Sequence, residues 1–189
     1  GCTGTLRPVI TTPGQAAHSA RPWMGENALH GASSVLNTLV EYQPQTIAVE
    51  GLEYRESLNA VRISGGVAGN VIPDSTKIEV NYRFAPSKTA SDAEAHLREV
   101  CGEVDLEVVD VAEGARPGPD SMLAKEFLSA TGAVAKPQYG WPDVARLAAL
   151  GLPEGNYGPG EPSLPSSDNE NGPGRQLTEV RSCPQARPR

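Results

Sequence analysis

The chain has 189 residues, of which 38% are hydrophobic and 5% aromatic, enough to bury the core of one or two domains. Its formal net charge of −7 at pH 7 argues against a nucleic-acid partner, because a phosphate-binding surface needs clustered Lys and Arg side chains. The sequence holds no long apolar run, so we expect no membrane-spanning helix.

The chain begins at Gly1, and no charged segment followed by an apolar stretch comes after it. We therefore predict no signal peptide and expect the sequence to be a piece of a longer chain. Cys2, Cys101 and Cys183 lie far apart and form neither a metal-binding spacing nor a disulfide framework. This cysteine usage favours the reducing cytoplasm.

The first part of the chain predicts six elements from its apolar spacing, which alternates in strands and recurs at three and four residues in helices. The predicted elements are a strand over 5–14, a helix over 26–42, strands over 58–66 and 76–86, a helix over 91–103 and a strand over 105–114. Their order is that of a ferredoxin-like α+β domain, a four-stranded antiparallel sheet with two helices on one face.

Two local features complete this prediction. Ser91, with Glu94 three residues later, has the spacing of a helix-capping box, so Ser91 is predicted to cap the second helix. The segment 41–57 is predicted to be a long connection.

A Pro- and Gly-rich boundary at 114–120 assigns the ferredoxin-like domain to residues 5–114. Residues 115–160 predict a helix ending near Gly132, a strand and loop over 134–143, and a short helix closed by Gly151. They contain too little apolar surface for an independent α/β domain. Residues 161–189 are predicted to be a loose tail, because Pro, Gly and polar residues dominate there.

No metal site is predicted from the histidines and cysteines. His30 and His96 lie among polar and charged residues and are interpreted as solvated surface residues. No HxxxH, HxD or CxxC spacing occurs, whereas a zinc site needs three or four converging N, S or O ligands. We therefore expect no catalytic metal to bind this chain alone.

His18 differs from the other histidines because it lies between a predicted strand and a predicted helix, among Ala and Ser residues. Small neighbours leave an imidazole prominent. Such a histidine can donate a hydrogen bond to a developing oxyanion, or it can be an ordinary turn residue.

Other candidate site residues lie in Gly-rich loops and on one strand. The glycines of 65–74 permit close backbone approach to a ligand before Asn70, although Asn70 can instead cap its own loop. Arg83 lies on the polar face of the strand 76–86, where its guanidinium suits a carboxylate or a cross-strand ion pair. Loops that can shape the rim of a pocket contain Gly140, Trp141 and Asn156.

Five segments, AHSARPWMGENALH, NAVRISGGVAGNVIPD, VNYRFAPS, YGWPDVARLAALGLP and NYGPGEPSL, resemble in this order the dizinc amidohydrolase and peptidase family. That family includes acetylornithine deacetylase, succinyl-diaminopimelate desuccinylase and carboxypeptidase, and the actinobacterial desuccinylases are the most similar branch. The resemblance covers residues 1–164. It implies a ferredoxin-like lid that also forms a homodimer, followed by an incomplete part of the α/β catalytic domain. The complete enzyme would hold two zinc ions, for which cobalt can substitute.

The resemblance also implies roles for the candidate residues. His18 matches the lid histidine that reaches the active site of the partner subunit and stabilises the oxyanion. Asn70 matches a lid residue that binds substrate, and Arg83 matches the lid arginine that binds a substrate carboxylate. The matched pocket-lining residues of the catalytic domain are Gly140, Trp141 and Asn156.

None of the family's metal ligands has a match here, and Ser166 stands about where the last of them, a histidine, belongs. The resemblance therefore implies an inactive piece of a metal-dependent hydrolase. Its reaction would release succinate from N-succinyl-LL-2,6-diaminopimelate in lysine and diaminopimelate biosynthesis. Two alternatives stay open: another amidohydrolase of the family, such as an acetylornithine deacetylase or carboxypeptidase, and a non-catalytic dimerisation remnant.

Overall fold

A four-stranded antiparallel sheet backed by two helices dominates this computed structural model, which describes residues 1–152, 155–160 and 172–182. In spatial order the strands are β5 (Ser57–Gly65), β7 (Ser75–Phe84), β1 (Gly4–Pro13) and β8 (Asp105–Ala112). The helices are α1 (Ala28–Glu41) and α2 (Ala90–Cys101). This order confirms the predicted ferredoxin-like fold.

The core lies between the helices and one face of the sheet. Along β7 every second side chain from Thr76 to Phe84 is buried, because successive side chains of a strand point to opposite faces. The buried core residues are Leu6, Ile10, Ala32, Val35, Leu39, Leu58, Ile78, Val80, Tyr82, Phe84, Ala93, Leu97 and Leu106. The other face of the sheet, here called the outer face, carries polar and charged side chains.

The segment 41–57, predicted as a long connection, has regular structure of its own. It contains a β-hairpin formed by β3 (Thr46–Val49) and β4 (Leu52–Arg55). The two turn residues, Glu50 and Gly51, have φ values of 49° and 83°. Positive φ at both central positions is typical of a two-residue hairpin turn, but Glu rarely adopts it, so the turn was not recognised.

The predicted cap of α2 is wrong by two residues. The N-cap is Thr89, whose Oγ1 accepts a hydrogen bond from the Asp92 backbone N–H at 3.1 Å. The Asp92 carboxylate in turn accepts from the Thr89 backbone N–H at 2.9 Å. These two bonds form the capping box. The pKa of Asp92 is lowered because its carboxylate accepts hydrogen bonds from the Thr89 backbone N–H and from Thr89 Oγ1. Ser91 and Glu94 therefore lie inside the helix.

Beyond β8 the chain forms α3 (Met122–Thr131) and α4 (Val144–Ala149). Gly132 ends α3 with a φ of 65°, as the sequence predicts. The strand predicted within 134–143 is absent from this described segment, where Gln138 forms an isolated bridge to Cys2.

The predicted loose tail contains a helix that was not predicted, α5 (Gly174–Ser182). Residues 161–171 and 183–189 of the tail, which include Ser166 and Cys183, lie outside the described residues.

The chain enters and leaves the ferredoxin-like unit at one point. The backbone N–H of Cys2 donates to the Ala115 carbonyl at 2.9 Å, and the Ala115 N–H donates back at 3.1 Å. The β3–β4 hairpin also contacts the segment that follows Ala115. The Glu50 carboxylate accepts hydrogen bonds from Arg116 Nε and from the Gly118 backbone N–H, both at 2.8 Å. The Arg116 bond, followed by the Gly118 bond, lowers the pKa of Glu50.

Candidate functional site

His18 lies on a small structure beyond the end of the main sheet. Two short strands, β2 (Ala17–His18) and β6 (Val71–Ile72), pair antiparallel, with His18 opposite Val71. Gly14 joins β1 to this structure and donates its N–H to the Asp74 carbonyl at 2.8 Å. A Cβ at Gly14 would lie 2.5 Å from the Glu26 carbonyl oxygen, so only glycine fits there without displacing the backbone.

The imidazole of His18 is exposed and held by its own turn. The Arg21 N–H donates to the His18 carbonyl at 2.8 Å, and the Ala20 N–H donates to His18 Nδ1 at 3.1 Å. Because Nδ1 accepts a hydrogen bond, the neutral ring carries its hydrogen on Nε2. The group that His18 presents outward is therefore an N–H donor.

Asn70 lies directly beside His18. Its backbone carbonyl accepts from the Ser19 N–H at 2.9 Å, which joins the Gly-rich loop to the histidine turn. The Asn70 side chain is exposed and forms no hydrogen bond with the described residues, so it does not cap its own loop. The structure thus brings these two predicted residues together, and we call this region the His18 corner.

The His18 corner also exposes apolar side chains that the sequence analysis did not single out. The 3-10 turn Pro22–Met24 follows the histidine turn, and Trp23 and Met24 are 77% and 62% exposed. A cavity of about 350 Å³ lies beside the corner, between Ala16 and the segment 64–67. An apolar rim beside a polar donor is typical of a surface that receives a ligand or a partner.

Arg83 lies at the opposite end of β7. It is half-buried on the outer face, opposite Thr5 of β1 and Ser57 of β5. Arg83 forms no salt bridge with any described residue, whereas Arg7 pairs with Asp110 at 2.9 Å. Burial, and then the charge of Arg7, lower the pKa of Arg83. The cross-strand ion pair considered for Arg83 is therefore not formed within the described chain.

The length of β7 separates the His18 corner from Arg83. His18 lies beyond Ser75, and Arg83 is eight positions along β7 from Ser75. At about 3.4 Å per residue this length of strand is about 27 Å. One small substrate molecule does not span it, so a single copy of the chain does not bring these groups into one site.

Gly140 and Trp141 lie at the Arg83 end. The carbonyl of Tyr139 accepts a 2.7 Å hydrogen bond from Thr3 Oγ1, which attaches this loop beside the start of β1. Trp141 is half-buried, and its Nε1 donates to the Glu113 carbonyl at 2.9 Å. It packs against a small buried cluster formed by Cys2, Ala115 and Ala145. The observed contacts of Trp141 are thus structural, and Gly140 is exposed.

The remaining candidates do not join either group. Asn156 is exposed, next to Tyr157, whose ring contacts Phe127 edge-on at 5.3 Å between centroids. His30 is exposed, as predicted. His96 is not the solvated residue that was expected, because its Nε2 lies 3.0 Å from the hydroxyl of Tyr42 in a hydrogen bond.

Neither a metal cluster nor a membrane span is found among the described residues. No three His, Cys, Asp or Glu side chains in 1–152, 155–160 and 172–182 are grouped so that they could hold a metal ion. The residues present therefore do not fit the two zinc ions that the resemblance implies. None of the described helices is long and apolar enough to cross a membrane.

Comparison with known proteins identifies the first unit. The sequence profile described as the peptidase dimerisation domain matches residues 3–109, more than half of the chain. A Mycobacterium tuberculosis protein that carries the name of the desuccinylase DapE is 45% identical over 94% of this chain. The succinyl-diaminopimelate desuccinylase of Corynebacterium glutamicum is 39% identical over 95% of it.

These matches cover 51% and 50% of the two relatives, so the chain spans about half the length of the curated proteins it matches. A match over 94% of the chain is longer than 164 residues. The aligned region therefore extends past residue 164, where the sequence motifs end, into the tail.

Solved structures agree on the fold. A dipeptidase from Saccharomyces cerevisiae superposes with a TM-score of 0.64 at 14% identity, covering 98% of this chain and 53% of the dipeptidase. A tripeptidase from Staphylococcus aureus gives a TM-score of 0.61 at 17% identity, covering 98% and 51%. The resemblance inferred from the sequence motifs is confirmed: this chain belongs to the peptidase dimerisation domain family.

Proposed function

We propose that this chain forms the lid and part of the catalytic domain of a cytoplasmic amidohydrolase that releases succinate from N-succinyl-LL-2,6-diaminopimelate. Water adds to the amide carbonyl, the C–N bond breaks, and the products are succinate and LL-2,6-diaminopimelate. The two desuccinylase relatives support this substrate, because each matches almost the whole chain. The cysteine spacing, which predicts no disulfide framework, supports a cytoplasmic location.

The observation that carries the proposal is the fixed orientation of the His18 ring. As water adds to an amide, negative charge develops on the carbonyl oxygen, and a preorganised N–H donor stabilises it. The bond from Ala20 N–H to Nδ1 leaves Nε2–H as that donor, and the ring is already exposed. Asn70, beside it, offers a free amide for the same substrate.

The separation within one chain supports a homodimeric site. The stretch of β7 from Ser75 to Arg83, about 27 Å long, separates His18 and Asn70 from Arg83, so one substrate molecule contacts all three only if two copies contribute. One subunit would supply the His18 corner. The other would supply Arg83, whose guanidinium fork suits a substrate carboxylate.

The proposed enzyme is metal-dependent, with two zinc ions for which cobalt can substitute. Since the described residues do not fit a metal site, the ions would be bound by parts of the catalytic domain other than these residues. They would supply an activated water and polarise the carbonyl. This chain alone is proposed to be inactive.

Complementation tests the proposal. A full-length desuccinylase relative whose lid histidine is changed to Gln is mixed with this chain, and release of succinate is measured. We expect activity to return, because His18 of this chain enters the partner's active site. The matched control is the same chain carrying His18→Gln, which should dimerise equally well and restore nothing.

Mixed dimers that form but remain inactive would refute a catalytic His18 and favour the non-catalytic dimerisation remnant. Recovered activity on acetylornithine or on a peptide, instead of the succinyl substrate, would favour the other amidohydrolases of the family.

A further inference from the structure

The tip of the β3–β4 hairpin carries a strained residue. Glu50 has a φ of 49° and is the one non-glycine residue with a positive φ in the described part of the chain. This conformation costs free energy in a residue with a Cβ, and it persists only where the surrounding structure holds it. Gly and Asn adopt it more readily in a hairpin turn. The presence of Glu at this position therefore requires an explanation.

The side chain of Glu50 supplies one, because both of its oxygens are bonded outside the hairpin. Oε1 accepts from Arg116 Nε and Oε2 accepts from the Gly118 backbone N–H, each at 2.8 Å. Gly118 has a φ of 52°, although a Cβ there would meet open space, so glycine is required by the shape of this turn. Asn, with a shorter and uncharged side chain, could not form the same charged pair at the tip.

The base of the hairpin is fixed to the ferredoxin-like unit. Val49 and Tyr54 are buried with Ala85, in a small cluster apart from the main core. The Glu56 N–H donates to the Gln45 carbonyl at 2.8 Å and closes the hairpin just before β5 begins. A hairpin anchored in this way moves with the sheet, so its tip transmits the position of the sheet to the segment that it binds.

The bound segment begins the second unit of the chain, residues 116–152. This unit meets the ferredoxin-like unit beside the paired backbones of Cys2 and Ala115, where only a small cluster with Ala145 is buried. Units joined through a small interface move relative to each other unless further contacts prevent it. Two adjacent chain crossings hold the units together but leave rotation about the crossing free. A contact outside the crossing is needed to fix the orientation.

The hairpin provides such contacts at two points. Glu50 binds the segment 116–118, and the Glu53 carbonyl accepts a hydrogen bond from the Tyr139 hydroxyl at 3.3 Å. The Tyr139 carbonyl accepts from Thr3 Oγ1 at 2.7 Å, so Tyr139 connects β4 with the residue before β1. The second unit is thus bonded to the hairpin as well as to the crossing.

We propose that Glu50 is a positioning residue, which fixes the orientation of the second unit relative to the ferredoxin-like unit by binding Arg116 and Gly118 from the tip of the hairpin. Because it uses both oxygens, the carboxylate restrains a side chain and the backbone of the linking segment together. The strain at Glu50 is the cost of placing a long, charged side chain at the turn. This role does not depend on the substrate proposed above.

Residual dipolar couplings of the full chain, measured by NMR, report this orientation. In the wild type one alignment tensor should fit the amides of both units. Glu50→Asn suits the positive φ of the turn and removes the carboxylate, so separate fits should give tensors that differ between the units. Hydrogen exchange at the Gly118 amide should become about tenfold faster, because its N–H loses a charged acceptor.

Two further variants separate positioning from other effects. Glu53→Gln is the matched control on the same hairpin, because the exposed Glu53 carboxylate forms no hydrogen bond with the described residues, and it should behave as the wild type. Arg116→Met leaves the turn unaltered and should change the tensors in the same direction as Glu50→Asn. The Tm of Glu50→Asn should stay nearly unchanged, because Asn relieves the strain and an exposed ion pair contributes little stability.

A single tensor in Glu50→Asn, with the Gly118 amide still protected, overturns the positioning role of Glu50. Different tensors for the two units of the wild type also overturn it, because the contact would then not fix the orientation. An equal change in Glu53→Gln, or a large fall in the Tm of Glu50→Asn, would assign the effect to the charge or the stability of the hairpin instead.

Discussion

Glu56 is a fully buried carboxylate whose hydrogen bonds come from three sides. It accepts from the Tyr82 hydroxyl at 2.9 Å, from the Ala85 backbone N–H at 2.8 Å and from Lys88 Nζ at 2.8 Å. Burial, and then Glu56 itself, raise the pKa of Tyr82 far above its usual value, so this hydroxyl remains a donor. The cluster joins the start of β5 to the loop after β7.

Replacing Glu56 with Leu should lower the free energy of unfolding by about 3–5 kcal/mol, because the ammonium of Lys88 and the hydroxyl of Tyr82 lose their acceptor. Urea denaturation monitored by circular dichroism measures the change. Glu53→Leu on the exposed side of the hairpin is the control and should change stability by less than about 0.5 kcal/mol. A loss below about 1 kcal/mol for Glu56→Leu would show that Tyr82 and Lys88 find other partners when the carboxylate is removed.

The sequence identifies His18 as a candidate but does not predict which of its ring nitrogens accepts a hydrogen bond. Small neighbours predict an exposed imidazole, and the structure shows one. The bond from Ala20 to Nδ1 depends on turn dihedrals that the residue types do not specify.

Among the elements, strands and helices with strong apolar spacing were the most predictable. The β7 strand and both helices of the ferredoxin-like unit follow from local periodicity. The β3–β4 hairpin was missed because its turn uses Glu50 at a positive φ, where Gly or Asn is usual. Two short β-rich runs separated by two residues were the available signal.

The sequence alone predicts Ser91 as the N-cap of α2, whereas the structure has Thr89 there, and the two assignments predict different effects of substitution. Thr89→Ala should cost about 1 kcal/mol of stability, because it removes the acceptor for the Asp92 N–H. Ser91→Ala should leave stability nearly unchanged, because Ser91 is an exposed residue inside the helix. Chemical denaturation of both variants checks this. The reverse order of effects would restore Ser91 as the cap.

On the scale of the whole molecule, the sheet has two open edges that differ in exposure. Every residue of β5 from Asn59 to Gly65 is exposed, including Ile63 at 47%. This edge leads directly into the loop that carries Asn70. The opposite edge, β8, exposes Val109 at 56%. An edge strand with exposed apolar residues favours pairing with another chain.

We expect the chain to dimerise through β5, and Ile63→Lys should shift it to a monomer, because a charged edge residue opposes strand pairing. Sedimentation or light scattering across a concentration series measures this. The matched substitution on the other edge, Val109→Lys, should leave the dimer intact. Loss of the dimer in Val109→Lys alone would place the interface on β8.

The second unit was less predictable than the first because long-range contacts determine its structure. Gly132 marks the end of α3 in both the sequence and the structure. The expected strand in 134–143 is replaced by single contacts of Gln138 and Tyr139 with the start of the chain. Such contacts have no periodic signature.

The paired backbone of Cys2 and Ala115 has a consequence for how this fold can be combined with others. Because the two ends of the module between Cys2 and Ala115 are hydrogen-bonded to each other, the flanking chain needs to bridge only the short gap that a surface loop would bridge. A graft cut at these two positions would alter the recipient scaffold no more than a small surface insertion does. We therefore expect that the module between Cys2 and Ala115 can be exchanged for a related one with little disturbance of the chain that flanks it.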